Sequence, residues 1–172
     1  MQHKINSVRA LMEDNSIDLL VLGPGTHLRW LLGFSPAQDE RPSMLLIGKE
    51  KEIFLIPSVN AEDVRRKTDI KINIWKDESG PDQALKEALL YIDESSAKHI
   101  AIDEAMRAHF ALIVIDALPN PTHEFTGSTI GALRMRKDQA EFISLKENAL
   151  IDDRAMKAGF AAIKEGVTEL EI

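Results

Sequence analysis

Hydrophobic residues follow two patterns along the chain: short unbroken apolar runs, and stripes in which apolar residues recur every three or four positions. The runs and one alternating segment predict strands at residues 18–22, 43–47, 53–56, 70–74, 99–102 and 124–126. The stripes predict helices at residues 3–14, 27–32, 58–67, 81–91, 107–118 and 138–164. This alternation predicts an α/β fold with a mixed central sheet of about six strands and helices on both faces.

Turn-forming residues fall between the predicted elements. The polar segment Gly48-Lys49-Glu50-Lys51 separates two apolar runs and predicts a β-hairpin. Thr26 is predicted to cap a short helix that Gly33 closes. Pro81 suits the first position of the helix that follows it, because proline lacks the N–H that a helix start leaves unused.

The last part of the chain has a different character. Residues 138–164 contain no proline and one glycine, which predicts a long helix ended by Gly166. Thr168 and Glu171 then match the capping-box pattern that starts a helix, and we expect the natural protein to continue beyond Ile172. The apolar stripe of the long helix, which Asp152 interrupts, comprises Phe142, Leu145, Ala149, Met156, Phe160 and Ile163.

Composition narrows the class of protein. The chain has 172 residues, of which 44% are hydrophobic and 28% charged, as in one ordinary globular domain with an appendage. The net charge of −7 is spread along the chain and argues against a nucleic-acid partner. The absence of cysteine excludes a disulfide scaffold, a thiolate metal site and a cysteine nucleophile. The apolar runs are too short for a membrane span, and a cytoplasmic location is expected.

The sequence contains few candidates for catalytic or metal-binding residues. Asp152 and Asp153 are adjacent on a helix and point about 100° apart, so they do not readily share a metal ion. Asp103 and Glu104 follow a strand, where α/β proteins often place ligands, but without a visible partner a turn or cap role is favoured. The sequence therefore predicts no catalytic residue and no metal site in this chain. Its histidines form no short ligand pair and are expected in loops or on the surface: His3, His27, His99, His109 and His123.

Two aromatic residues flank the turn at Gly33. Trp30 and Phe34 are expected to belong to the core, because large aromatic side chains there most often do. The alternative is that they line a substrate cleft from a loop.

Four segments together resemble one known family. The segments are the opening helix with Arg9 and Leu11 followed by residues 17–22, residues 28–34, residues 100–104, and Leu133-Arg134-x-x-Lys137-x-x-x-Glu141 followed by residues 166–171. In their order and spacing they resemble the N-terminal, creatinase-type domain of Xaa-Pro dipeptidases (prolidases) and aminopeptidase P, which are pita-bread metallopeptidases. The second segment departs from the family pattern, with Trp30 in the place of tyrosine and Leu32 in the place of threonine, so substrate preference stays open.

The resemblance implies that the two parts of the chain belong to different domains. Residues 1–132 would form the creatinase/prolidase N-terminal domain, with a ribonuclease H-like motif, and residues 133–172 a connector helix and the start of a missing catalytic domain. The parent protein would be a metallopeptidase that cleaves the bond before proline. Two divalent metal ions, such as Mn, Co or Zn, would be held there by two Asp, one His and two Glu, none of which can be assigned to this chain.

The resemblance also implies a role for the chain itself. It would shape the substrate cleft for a small peptide, contribute to a homodimer and contact its own catalytic domain. It would contribute no catalytic residue. Two alternatives stay open: the N-terminal domain of a creatinase-type amidinohydrolase, or a non-catalytic module that binds proteins or peptides. The substrate-cleft candidates, all from residues 29–41, are Trp30, Phe34, Asp39 and Arg41.

Overall fold

The structure, a computed structural model, describes residues 2–171 and divides into two compact units with the boundary after Arg134. The strands are β1 (Leu19–Leu22), β2 (Met44–Ile47), β3 (Glu52–Pro57), β4 (Ile72–Trp75), β5 (His99–Ile102) and β6 (Thr122–Phe125). The helices are α1 (Gln2–Asp14), α2 (Thr26–Leu32), α3 (Ser58–Arg65), α4 (Asp82–Tyr91), α5 (Ala108–Ala117), α6 (Ile130–Met135) and α7 (Gln139–Ala162).

The six strands form one mixed sheet in the order β4-β3-β2-β1-β5-β6. The predicted hairpin is confirmed, because β2 pairs antiparallel with β3, and β2 also pairs antiparallel with β1. The pairs β1–β5, β5–β6 and β3–β4 are parallel. The predicted mixed α/β sheet is therefore confirmed.

Strand β1 explains why the helices cover both faces of the sheet. Leu19 and Val21 belong to one apolar cluster and Leu20 and Leu22 to the other, and all four are fully buried. A strand buried on both faces reads as a continuous apolar run, because neither face meets water. Helices α4 and α5 contribute to the first cluster, whereas α1, α2 and α3 contribute to the second.

Several local predictions need correction. Thr26 is the first helical residue rather than the cap; Gly25 stands at the cap position, where no side chain makes a capping hydrogen bond. Pro81 likewise stands just before α4 rather than in its first position. The closure of α2 by Gly33 is confirmed, with a left-handed φ of 83° and its N–H donating to the Arg29 carbonyl. Helix α6 and the preceding 3₁₀ turn (Thr126–Ser128) were not predicted.

The second unit, described by itself, consists mainly of α7. Its start is capped on both sides: the Asp138 carboxylate accepts from the Glu141 N–H at 2.8 Å, and the Glu141 carboxylate accepts from the Asp138 N–H at 3.1 Å. The long helix is confirmed, but none of its side chains is buried. Phe142 is 56% exposed and Phe160 64% exposed, so the predicted stripe faces no partner among the described residues.

Residues 168–171 form a turn. One half of the predicted capping box is present, because the Glu171 carboxylate accepts from the Thr168 N–H at 2.9 Å. The Thr168 hydroxyl donates to the same carboxylate at 2.7 Å instead of accepting from a backbone N–H. In residues 2–171, no helix combines the length and the apolar character needed to cross a membrane.

The tight contact between α6 and the 3₁₀ turn can be tested with glycine substitutions. In Gly131→Ala the new Cβ would lie 2.9 Å from the backbone oxygen of Thr126, so the backbone must shift. We expect the free energy of unfolding to fall by about 1–3 kcal/mol in chemical denaturation. The matched control is Gly127→Ala, whose Cβ would meet no atom within 4 Å and which should change stability by less than about 0.5 kcal/mol. Equal stabilities for the two variants would contradict the close packing of α6.

Candidate functional site

The parallel strands β1, β5 and β6 place polar residues at one edge of the sheet. Their carboxyl ends lie side by side, because β5 pairs in parallel with both neighbours. Helix α2, which follows β1, carries His27; Asp103 and Glu104 follow β5; and Thr126 follows β6. In α/β sheets this edge is the usual place for ligands and catalytic groups. The four side chains form the candidate site, which we call the edge network.

His27 lies at the centre of the edge network and is only 5% exposed. Its Nδ1 atom lies 2.9 Å from Nη1 of Arg134, on α6. A guanidinium group carries only donors, so Nδ1 must accept and the ring proton must be on Nε2. Nε2 lies 3.3 Å from Oε1 of Glu104 and 3.2 Å from Oγ1 of Thr126, and it donates towards both oxygens.

The Glu104 carboxylate accepts from several donors. Besides His27, the Thr126 hydroxyl donates to its Oε2 atom at 2.6 Å. Burial raises the pKa of Glu104, but the hydrogen bonds from Thr126, from its own backbone N–H and from His27 outweigh this and lower the pKa to about 2. Glu104 is therefore ionised at neutral pH and helps to fix the orientation of the imidazole ring.

Asp103 differs from its neighbour because it is only 3% exposed. Burial raises the pKa of Asp103, although a hydrogen bond from the Ala105 N–H and the nearby His27 act in the opposite direction. Its Oδ1 atom accepts from the Ala105 N–H at 2.9 Å, which confirms the predicted turn role. The same atom lies 4.0 Å from Nε2 of His27.

A metal ion is the first alternative to test at this edge. His27, Asp103 and Glu104 each offer a ligand atom, and these atoms lie within 4.8 Å of one another. A metal would need the lone pair of Nε2, whereas the bond from Arg134 to Nδ1 places a proton there. A metal-bound histidine usually donates from its other ring nitrogen, and here that nitrogen faces a cation. The donor set fits a hydrogen-bonded network better than a metal site.

The edge network was largely missed by sequence reasoning. The expectation that His27 lies in a loop or on the surface is wrong, because it is buried within α2. Recognising it would have required knowing that the strands before His27, Asp103 and Thr126 end side by side. The other four histidines match the expectation, with His99 partly exposed and the rest exposed.

Trp30 and Phe34 lie on the face of the sheet that the second core cluster covers. Trp30 is half-buried on α2, with Nζ of Lys4 4.2 Å from its ring centre and donating to its carbonyl at 2.8 Å. The Phe34 ring lies 6.2 Å from that of Phe54, a buried residue of β3. Both aromatics pack against the second core cluster, which supports the core interpretation.

Asp39 and Arg41 form a separate polar group on the loop after α2. The Arg41 guanidinium donates to Asp77 at 2.8 and 3.0 Å, and it lowers the pKa of that carboxyl. The Asp39 carboxylate accepts from the Arg41 N–H at 2.8 Å and from the Asn60 amide at 3.2 Å. These bonds join the loop to Asp77, which follows β4, and to Asn60 of α3. They join neither residue directly to Trp30 or Phe34, and the substrate-cleft role of the four stays a prediction.

Comparison with known proteins decides the family. The family model described as Creatinase/Prolidase N-terminal domain matches residues 4–136, most of the chain. The chain belongs to this family. An Xaa-Pro dipeptidase from Lactobacillus delbrueckii subsp. lactis is 22% identical over 178 residues, which cover 96% of this chain and 46% of that protein. The resemblance drawn from the four sequence segments is therefore confirmed.

Two solved structures show the fold of the family. A dipeptidase from Pyrococcus horikoshii OT3 superposes with a TM-score of 0.85 at 26% identity, covering 98% of this chain and 46% of its own. A dipeptidase from Mycobacterium ulcerans superposes with a TM-score of 0.86 at 22% identity, covering 99% and 46%. The chain thus spans about half the length of these relatives.

The two carboxylates of the edge network should affect stability in opposite ways as pH changes. Glu104 has a folded pKa of about 2, below its ordinary 4.5, so it stabilises the fold above that ordinary value and loses this effect as pH falls towards 2. Asp103 has a raised pKa, so its stabilising effect is present at low pH and is lost as pH rises through the folded pKa.

We therefore expect Glu104→Gln to lower the free energy of unfolding at pH 7 by about 1 kcal/mol and to flatten its decline in acid. Asp103→Asn, which keeps an acceptor for the Ala105 N–H, should instead flatten the decline that accompanies rising pH. Urea denaturation across the pH range measures both effects. Parallel pH profiles for the wild type and the two variants would contradict the assignment.

Proposed function

We propose that this chain is the non-catalytic N-terminal domain of a longer, cytoplasmic Xaa-Pro dipeptidase-like metallopeptidase. One observation carries the proposal: the dipeptidase from Pyrococcus horikoshii OT3 matches 98% of this chain with only 46% of its own length. More than half of that relative therefore lies outside the match. In the proposed protein, this domain shapes the cleft for a small peptide substrate and contributes to a homodimer.

The side chains of residues 2–171 do not suit two-metal peptidase chemistry. A hydrolytic pair of metals makes a bound water acidic and needs several carboxylates around a shared site. The edge network offers two carboxylates and one histidine, and the Nδ1 atom of that histidine is bonded to Arg134. Asp152 and Asp153 are exposed neighbours on α7. We propose that the catalytic metals are held by a part of the longer protein outside residues 1–172.

The properties of α7 support a connector role for residues 133–172. The helix starts with a complete capping box, yet its large apolar side chains are exposed. Covering one leucine or phenylalanine stabilises a protein by ~1.5–3 kcal/mol. We propose that the catalytic domain covers this helix. The division of the structure after Arg134 lies close to the proposed boundary at residue 132.

The proposal is tested on the full-length protein. We expect the reading frame beyond codon 172 to encode two Asp, one His and two Glu as metal ligands. We also expect the metal-loaded protein to hydrolyse an Xaa-Pro dipeptide and to leave creatine unchanged. Turnover of creatine instead would establish an amidinohydrolase. If the five ligands are absent, the peptidase proposal is refuted and the binding-module alternative remains.

The substrate-cleft prediction has its own test in the same protein. Trp30→Ala and Arg41→Ala should each raise KM for Xaa-Pro dipeptides by about fivefold, equivalent to ~1 kcal/mol of binding. Gln38→Ala, an exposed position on the same loop, is the matched control and should leave KM unchanged. Steady-state kinetics checks all three variants. If KM stays the same in both test variants, the segment 29–41 does not reach the substrate.

A further inference from the structure

The arginine side chain near the end of α6 contacts two residues of α2, one of which belongs to the edge network. Nη1 of Arg134 donates to the hydroxyl of Thr26 at 3.1 Å and to Nδ1 of His27 at 2.9 Å. The rest of the helix is held by packing: Ile130 is fully buried, Leu133 packs against the second core cluster, and Gly131 lies close to the Thr126 backbone. The contact with His27 therefore concerns the end of α6 and not the whole helix.

We propose that His27 holds the end of α6 only while its ring is neutral, through the hydrogen bond from Arg134 to Nδ1. We call this bond the latch. In its neutral form the imidazole accepts the hydrogen bond from Arg134 and the latch is closed. In its protonated form both ring nitrogens are donors, and the ring can no longer accept from a guanidinium group. Two cations would then face each other at 2.9 Å, one of them on His27, which is only 5% exposed, so Arg134 must withdraw.

The groups around the ring allow protonation without loss of the ring position. The charged groups that face His27 are Asp103 and Glu104, from the segment after β5, and Arg134, from α6. The 3₁₀ turn contributes the neutral hydroxyl of Thr126. The two carboxylates lie on the Nε2 side and attract an imidazolium, whereas the arginine lies on the Nδ1 side and repels it. Protonation therefore strengthens one side of the network and breaks the other.

The position of the latch gives it a consequence along the chain. Arg134 is the last residue of the first unit, and the chain enters the second unit at Met135. The latch therefore acts on the last turn of α6, at the end of the first unit.

Hydrogen exchange on the 172-residue chain tests the latch. Histidine changes its charge between about pH 5 and 8, so protection of residues 128–137 is compared at about pH 5.5 and pH 8 after correction for intrinsic exchange. We expect protection to be about three- to tenfold lower at the acidic pH, as for loss of one hydrogen bond. Unchanged protection would overturn the proposal.

Two variants separate the latch from general acid effects. In His27→Gln the side-chain oxygen can accept from Arg134 and the amide can donate to Glu104 at every pH, so the pH response should disappear. His99→Gln is the matched control, because His99 also lies beside a carboxylate, 3.5 Å from Glu124, but does not contact Arg134. It should keep the response of the wild type; a lost response in this control, or a retained one in His27→Gln, would contradict the latch.

Nitrogen NMR of the His27 ring gives a readout that does not depend on a variant. At pH 8 the proton should be on Nε2 and Nδ1 should be unprotonated, and the loss of protection in α6 should accompany the appearance of a proton on Nδ1. A proton on Nδ1 at high pH would overturn the proposal. A shift of the ring signals on addition of Zn²⁺ alone at pH 8 would also overturn it, because it would show a metal site in place of the latch.

Discussion

The burial of β1 on both faces is the constraint on which the rest of the first unit depends. Its four residues alternate between the two core clusters, and none is exposed. A polar side chain within such a strand would be removed from water without a partner, at a cost of several kcal/mol. Polar groups are therefore confined to the ends of the strand. The parallel neighbours β5 and β6 end at the same edge, which gathers these groups into one network.

The edge network keeps its buried groups satisfied by a definite order of donors and acceptors. Arg134 can only donate, an ionised Glu104 can only accept, and His27 between them does one of each. This order determines the tautomer of the ring. It also makes the network sensitive to a proton, because no other arrangement satisfies both neighbours at once. A metal ion would require the opposite tautomer, so the two roles exclude each other.

Local patterns were enough to predict most of the fold, whereas the network depends on distant contacts. The length of each apolar run predicted the strands, and β5 was predicted with its observed bounds. Helix α6 has only six residues, too few for a periodic stripe to show. His27 bonds to residues 77 and 107 positions away, and the order of the strands in the sheet, which brings them together, is not written in any local pattern.

Helices α1 and α7 show why an apolar stripe predicts a helix without predicting what covers it. In α1 the stripe of Ile5, Val8 and Met12 is buried in the second core cluster. In α7 a comparable stripe is exposed, although the capping box stabilises the start of the helix locally. Local hydrogen bonds satisfy the backbone of α7 but do nothing for its apolar side chains. The side chains of α7 thus favour a further packing surface, which accords with relatives more than twice as long as this chain.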